Sequence, residues 1–159
     1  MKEIKLANNK GIALVDDEDY ELVSKYKWHM LSATRRYARA AIKIETNKYI
    51  RTLMHKLIMD TKEHIDHIDS DGLNNQRSNL RIATQSNNMM NASKQNRGSS
   101  RHKGVCWQKK NNKWTAYITL NKIRYYLGIF IDENKAAEAY NIKAEELFGE
   151  YAKLNIIED

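Results

Sequence analysis

"DHIDSDGLNNQRSNLRIATQSNN", residues 66 to 88, sets one histidine, three aspartates and five asparagines around a single glycine. Asp, Asn, Ser and Gly are turn formers, yet a turn needs neither the imidazole nor so many oxygen donors. Two metal-site readings fail on position. An EF-hand loop through Asp69, Asp71 and Gly72 would begin at His67 and end at Ser78, where such a site needs acids. A His-Glu-x-x-His zinc helix is absent, because His64 and His67 stand three apart and the preceding acid is Glu63. In an extended segment Ile65, His67 and Asp69 share one face and His64, Asp66 and Ile68 the other. Asp66 and His67 then diverge unless a bulge or loop distorts the strand.

Upstream of this stretch the pattern is β-rich with one helix. "EIKLA" and "IALVD" are strand-like runs around the turn signal "NNKG", which predicts a hairpin. "DEDYELVSKYKW" spaces Tyr20, Leu22, Val23 and Tyr26 for a helix behind an acidic first turn. "KWHMLSATRRYARAAIKI" and "NKYIRTLMHKLIM" read as strands, the second turning helical near Thr52. Leu73, Leu80 and Ile82 are expected to anchor the stretch in the core. Asp69, Asp71, Asn74 and Asn75 are expected to be turn and surface residues, and His55 a packed or helix-surface histidine.

Downstream, Ala83 to Ser93 reads as a helix entered through Thr84, poor by propensity because of its asparagines, which points to a task for one of their side chains. "SKQNRGSSR" (93–101) is polar, basic and linker-like. "HKGVCWQ", "KWTAYITL" and "IRYYLGIFI" are then three strands separated by "KKNN" and "NK" turns. The amphipathic helix that follows gathers Ala136, Ala137, Tyr140, Ala144, Leu147 and Phe148 on one face, between an Asp132 cap and Gly149. Trp107, Trp114 and Tyr140 suit the core between sheet and helix, which leaves the other sheet face free to bind. The fold class is therefore α+β.

Charge is segregated. No Asp or Glu occurs from Gly72 to Ile131, a span that holds eleven of the 27 Lys and Arg residues, while all 20 acids lie elsewhere. With a net charge of +7, such a field fits a polyanionic partner, nucleic acid above all. No apolar run matches a membrane span and the N-terminus lacks a signal peptide's apolar core. The single Cys106 excludes an internal disulfide framework and a Cys-rich zinc ribbon, so a bound metal would use oxygen and imidazole ligands.

The opening stretch resembles the HNH motif of phage and intron-encoded homing endonucleases, in the variant whose last histidine is asparagine. Asp66-His67 is followed by Asn79 after twelve residues, within "RSNLR", and by Asn88 after nine more. The upstream "MHKLIM" and "DYELVSKYKW" also look like this family. The resemblance implies a ββα-metal fold, a hairpin packed on a helix with one divalent cation between. It implies His67 as general base, Mg²⁺ (or another divalent cation such as Mn²⁺) held by Asp66 and Asn88, and Asn79 completing the catalytic set by fixing the loop and orienting His67. Phosphodiester hydrolysis needs such parts: a base for the attacking water and positive charge on the phosphoryl and leaving oxygens. Asn87 and Asn91 compete with Asn88 by position; family spacing selects Asn88.

Residues 100 to 155 resemble an AP2 (ERF-type) DNA-binding domain through "HKGVCW", "KWTAYI", "YYLGIF" and the helix sequence. That family's DNA contacts correspond to Lys103, Cys106, Gln108, Tyr117, Thr119, Arg124 and Tyr126, several of them different residue types in plant members. Lys109, Lys110 and Lys113 suit phosphates, as do Arg97 and Arg101 of the linker region. The expected layout is a nuclease domain at 1–92, a basic linker at 93–100 and an AP2-like domain at 101–159.

The combined expectation is a metal-dependent homing-type DNA endonuclease. Its partner is double-stranded DNA, with no membrane and no small-molecule substrate, and it acts as a monomer or homodimer. The resemblance implies a phage or mobile-element origin and action in the cytoplasm of a bacterial host. The alternatives are a non-catalytic DNA-binding regulator that keeps the HNH-like unit as a scaffold and, less favoured, an RNA-binding module.

Overall fold

A computed structural model describes residues 1–7, 10–32, 36–92, 94 and 98–157. The chain forms two compact units, Met1–Gln85 and Ser86–Asp159, and its fold is mixed α+β.

In the first unit β1 (Lys2–Lys5) and β2 (Ile12–Val15) pair antiparallel, Ile4 opposite Ala13. Alternation decides their faces: Ala13 and Val15 are buried while Ile12 is exposed. Helix α1 (Asp17–Val23) begins with Asp17, Glu18 and Asp19, which suit the positive end of its dipole. A three-stranded sheet follows, β3 (His29–Met30), β4 (Ala38–Glu45) and β5 (Lys48–Leu53), in the order β3-β4-β5. The chain passes directly into α2 (Met54–Met59), two residues beyond the expected Thr52. Trp28, Val23, Val15 and Met54 are fully buried at the centre of the core, and the Trp28 indole donates to Val23 O at 2.8 Å.

The opening stretch forms a second hairpin, β6 (Ile65–His67) against β7 (Leu80–Ile82), with Asp66 opposite Arg81 and His67 opposite Leu80. Its connecting loop docks along β2. Leu14 N donates to Leu73 O and Asn75 N donates to Leu14 O, both at 2.8 Å. Leu73 and Leu80 enter the core as expected, whereas Ile82, at the end of the short pair, is half exposed.

The second unit holds α3 (Gln85–Asn91), which starts at the junction, then β8 (Val105–Gln108), β9 (Lys113–Leu120), β10 (Ile123–Phe130) and α4 (Glu133–Phe148). The sheet is antiparallel in the order β10-β9-β8. Asn121 and Lys122, both at positive φ, make the tight turn between β9 and β10. Asp132 caps α4 through a 2.9 Å bond from Lys135 N. Ala136, Ala137, Tyr140, Ala144 and Phe148 are buried as the periodicity required, and the alanines let the helix lie close to Val105, Ala116 and Ile118 of the sheet. Gly104 is forced by that closeness, since a Cβ there would meet the Tyr140 ring at 2.1 Å.

Candidate active site

His67 sits on β6 with its side chain buried. Three groups enclose it. The His55 ring, from α2, meets it edge-on at 4.9 Å; the Tyr37 ring lies at 5.6 Å; and Asn75 Oδ1 faces Nε2 at 3.5 Å. That last contact is long for a hydrogen bond. Gly72 admits Tyr37 to this position, because a Cβ at residue 72 would strike the Tyr37 ring at 2.4 Å.

Burial disfavours the imidazolium and lowers the His67 pKa, against the opposing effects of the Asn75 contact and the charges of Asp69, Asp66 and Asp71. The ring is accordingly neutral near pH 7. Desolvation also drives His55 down to about 3, with smaller contributions from His67 and Lys56. His55 Nδ1 is buried and has no hydrogen-bond partner among the described residues.

Asp66 is buried beside His67, and Arg81 Nε and Nη2 both donate to its Oδ2, at 2.9 and 2.7 Å. Asn79 organises the loop. Its Nδ2 donates to Asp69 Oδ1 (3.0 Å) and Asn74 O (2.8 Å), its Oδ1 accepts from Asp69 N (3.0 Å), and its carbonyl accepts from Ile68 N (2.9 Å). Asp69 is the hub of that loop: it also accepts from Asp71 N (2.7 Å) and Asn74 Nδ2 (2.8 Å). Burial raises its pKa, but these bonds and His67 outweigh that and hold the carboxyl below the usual range. Arg77 ties the hairpin to α1 through Asp19 (2.9 and 2.8 Å) and to α2 through Ile58 O (3.1 Å).

His67, Asp66 and Asn79 thus belong to one hairpin of the first unit. Asn88 lies half-buried on α3, within the second unit. Among the described residues no group of three or more His, Cys, Asp or Glu side chains gathers as a metal site. Three neighbours of the site escape a reading by residue type. Asn75 is fully buried, not a surface turn residue, because its backbone and side chain are held by Leu14 and Leu73. Arg81 and His55 needed the hairpin register and the α2 packing; the signal for Arg81 was its place two residues after Asn79.

In the second unit the sheet register gathers the expected DNA-contact residues. Arg124 pairs with Thr119, Tyr126 with Tyr117 and Gln108 with Lys113, so with Cys106 they share the face opposite Val105, Ala116 and Ile118. Arg124 stacks 3.7 Å above the Tyr117 ring. Tyr126, Lys113 and Thr119 are exposed, as are Lys109 and Lys110 in the turn. Trp107 and Trp114 meet edge-on at 5.0 Å, paired on the α4 side. Lys103 instead is half-buried and donates from Nζ to Met90 O. Arg101 is exposed and bonds Asn134 Oδ1 at 3.2 Å; Arg97 lies outside the described residues.

No helix among the described residues is long and apolar enough to cross a membrane. No family model and no solved structure matches the chain. An uncharacterized HNH endonuclease of Acanthamoeba polyphaga mimivirus is 36% identical over 154 residues, which covers 96% of this chain and 80% of the viral protein. The likeness extends far past the Asp66–Asn88 segment into both units, and on that relation the chain belongs to the HNH endonuclease family.

Proposed function

We propose that the protein is a metal-dependent, homing-type DNA endonuclease in which His67 takes a proton from the attacking water. The observation that carries this reading is the His67 ring itself, buried in the β6–β7 hairpin beside Asp66 and enclosed by His55, Tyr37 and Asn75. A buried imidazole whose pKa is lowered by desolvation is available as a proton acceptor near neutral pH. Asn79 is a positioning residue, since its bonds define the loop that follows His67.

The donor set suits a hard cation. The Asp66 carboxylate and the Asn88 amide oxygen are the proposed ligands of Mg²⁺ or Mn²⁺, hard cations that take oxygen donors and keep positions for water and phosphate oxygens. When bound, the cation supplies charge neutralisation at the phosphate. Arg81 bonds the Asp66 carboxylate.

The second unit is proposed to be an AP2-like DNA-binding domain acting on duplex DNA. The supporting feature is the face bearing Gln108, Lys113, Tyr117, Thr119, Arg124 and Tyr126, which combines cationic, amide, hydroxyl and aromatic groups. A mobile genetic setting belongs to the same proposal, and the viral origin of the relative agrees with it. The test is a supercoiled-plasmid assay with candidate target DNA. Nicked or linear product is expected with Mg²⁺ or Mn²⁺ and none with excess chelator; undiminished cleavage in chelator contradicts the metal-dependent reading, and binding without cleavage under any cation favours a regulator.

A further inference from the structure

Residues 22–59 are a second cationic stretch, with nine Lys and Arg and a single acid, Glu45. Four of those cations lie on β4 and β5: Arg39, Lys43, Lys48 and Arg51. Strand β3 pairs only with Ala38 and Arg39, so from Ala40 to the turn at 46 and 47 the sheet is a two-stranded ribbon. Cross-strand register decides its faces. Ala38 and Ala40 are buried, and their row continues outward through Ile42, with Thr52 opposite Ala40 and Ile50 opposite Ile42. The other row holds Arg39, Ala41 and Lys43, opposite Leu53, Arg51 and Tyr49. Ala41, Lys43, Tyr49 and Arg51 are all exposed, Tyr49 at 60%.

Packing does not account for the outer part of this ribbon. A two-stranded hairpin alone is marginal in water, and every residue from Lys43 to Arg51 is exposed. The Lys48–Glu45 ion pair beside the turn joins exposed side chains at 3.5 Å and adds little. The ribbon does present one face on which Arg39, Lys43 and Arg51 surround an exposed tyrosine ring and a small alanine. Three cations on a narrow ribbon match the phosphates that border a duplex groove. The major groove, about 12 Å wide, admits a two-stranded ribbon, and the six residues from Ala40 to Glu45 extend about 20 Å, enough to cross it. We infer that the β4–β5 ribbon docks in the major groove of duplex DNA with Arg39, Lys43 and Arg51 against phosphates, which gives the first unit a DNA contact of its own. The inference rests on the DNA-endonuclease reading above.

The test measures binding of the full-length chain to an A·T-rich duplex oligonucleotide in chelator, across a salt series. Wild type is compared with the neutral double variant Lys43→Gln, Arg51→Gln, with the charge-keeping double variant Lys43→Arg, Arg51→Lys, and with Tyr49→Ala; light scattering follows oligomeric state. Thermal melts of all four should coincide, because the changed positions are exposed. The neutral variant is expected to bind about 10–100-fold more weakly, the loss of two charge-assisted contacts, and its log–log salt slope falls by about 1.8, or about 0.9 for each phosphate. The charge-keeping variant and Tyr49→Ala, which remove no charge, keep the wild-type slope. The difference between wild type and the neutral variant persists when netropsin fills the minor groove; its disappearance would overturn the major-groove placement. Unchanged affinity and slope in the neutral variant, with wild type binding duplex, overturns the ribbon contact and leaves the endonuclease reading intact. A change of oligomeric state in the neutral variant would assign the face to a second copy of the chain and overturn the DNA contact. Absence of duplex binding by wild type removes the parent reading and this inference with it.

Discussion

Arg81 and Asp66 face each other across the β6–β7 pair, and two guanidinium bonds, 2.9 and 2.7 Å, fall on one carboxylate oxygen. Both side chains are largely buried, at 13% and 8% exposure, so removing the arginine takes a charge-assisted contact away from a buried carboxylate. Arg81→Ala is expected to cost about 1.5–3 kcal/mol of stability in the absence of metal, the loss of hydrogen bonds to a charged group. If Asp66 is a metal ligand, a divalent cation substitutes for the lost arginine, and Mg²⁺ or Mn²⁺ raises the Tm of the variant more than that of wild type. Thermal melts with and without cation check this; equal cation shifts in the two proteins would count against Asp66 as a ligand.

Asn75 is fully buried and serves two partners, donating from Nδ2 to Leu73 O at 3.0 Å while its Oδ1 faces His67 Nε2. Asn75→Ala leaves Leu73 O without that donor and His67 without its orienting oxygen. The expected cost is about 1–3 kcal/mol in urea unfolding, together with a cleavage rate lower by on the order of tenfold or more under conditions where the variant remains folded. DNA affinity in chelator should not change.

His55 makes stability depend on pH. Its folded pKa of about 3 lies below the ordinary value of 6.5, so between those values the unfolded chain binds a proton that the folded chain refuses. Stability contributed by the neutral ring is complete above pH 6.5 and is lost as pH falls toward 3, with a limiting slope of about 1.4 kcal/mol per pH unit. The lowered His67 acts in the same direction. Melting curves at pH 7.5, 6 and 5 should fall more steeply for wild type than for His55→Phe, which keeps a ring and removes the titration. Parallel pH profiles would contradict the buried neutral assignment.

The stack of Arg124 on Tyr117 preorganises a cation on the exposed face of the sheet. Arg124→Ala should weaken duplex binding and lower the salt slope by about 0.9 if that charge meets a phosphate. A change in preference among duplex sequences would instead assign it to a base edge. Binding with unaltered affinity, slope and preference would remove this face from the DNA contact.

Elements with strong periodicity were legible in the residues alone. The alternation of β9, the Asn-Lys turn and the Asp132 and Gly149 boundaries of α4 each state their structure locally. Asp66 and His67 were legible as candidates, because spacing to Asn79 is a property of the chain. The surroundings of His67 were not. Asn74 and Asn75 are identical neighbours in a loop with no period, and what holds the second inside is the backbone of Leu14, far earlier in the chain. The Arg81–Asp66 pair depends on hairpin register, and the His55 contact depends on how α2 packs, neither of which residue type specifies. Ile82 shows the converse: an apolar residue at the end of a three-residue strand stays half exposed.

The central claim is that His67 is the base, and plasmid cleavage by His67→Ala tests it most directly. With Mg²⁺ or Mn²⁺ and a target plasmid, the variant is expected to cut slower by about 10²–10⁴-fold, while its Tm stays within reach of wild type and its duplex affinity in chelator is unchanged. Cleavage by His67→Ala at the wild-type rate would contradict the account.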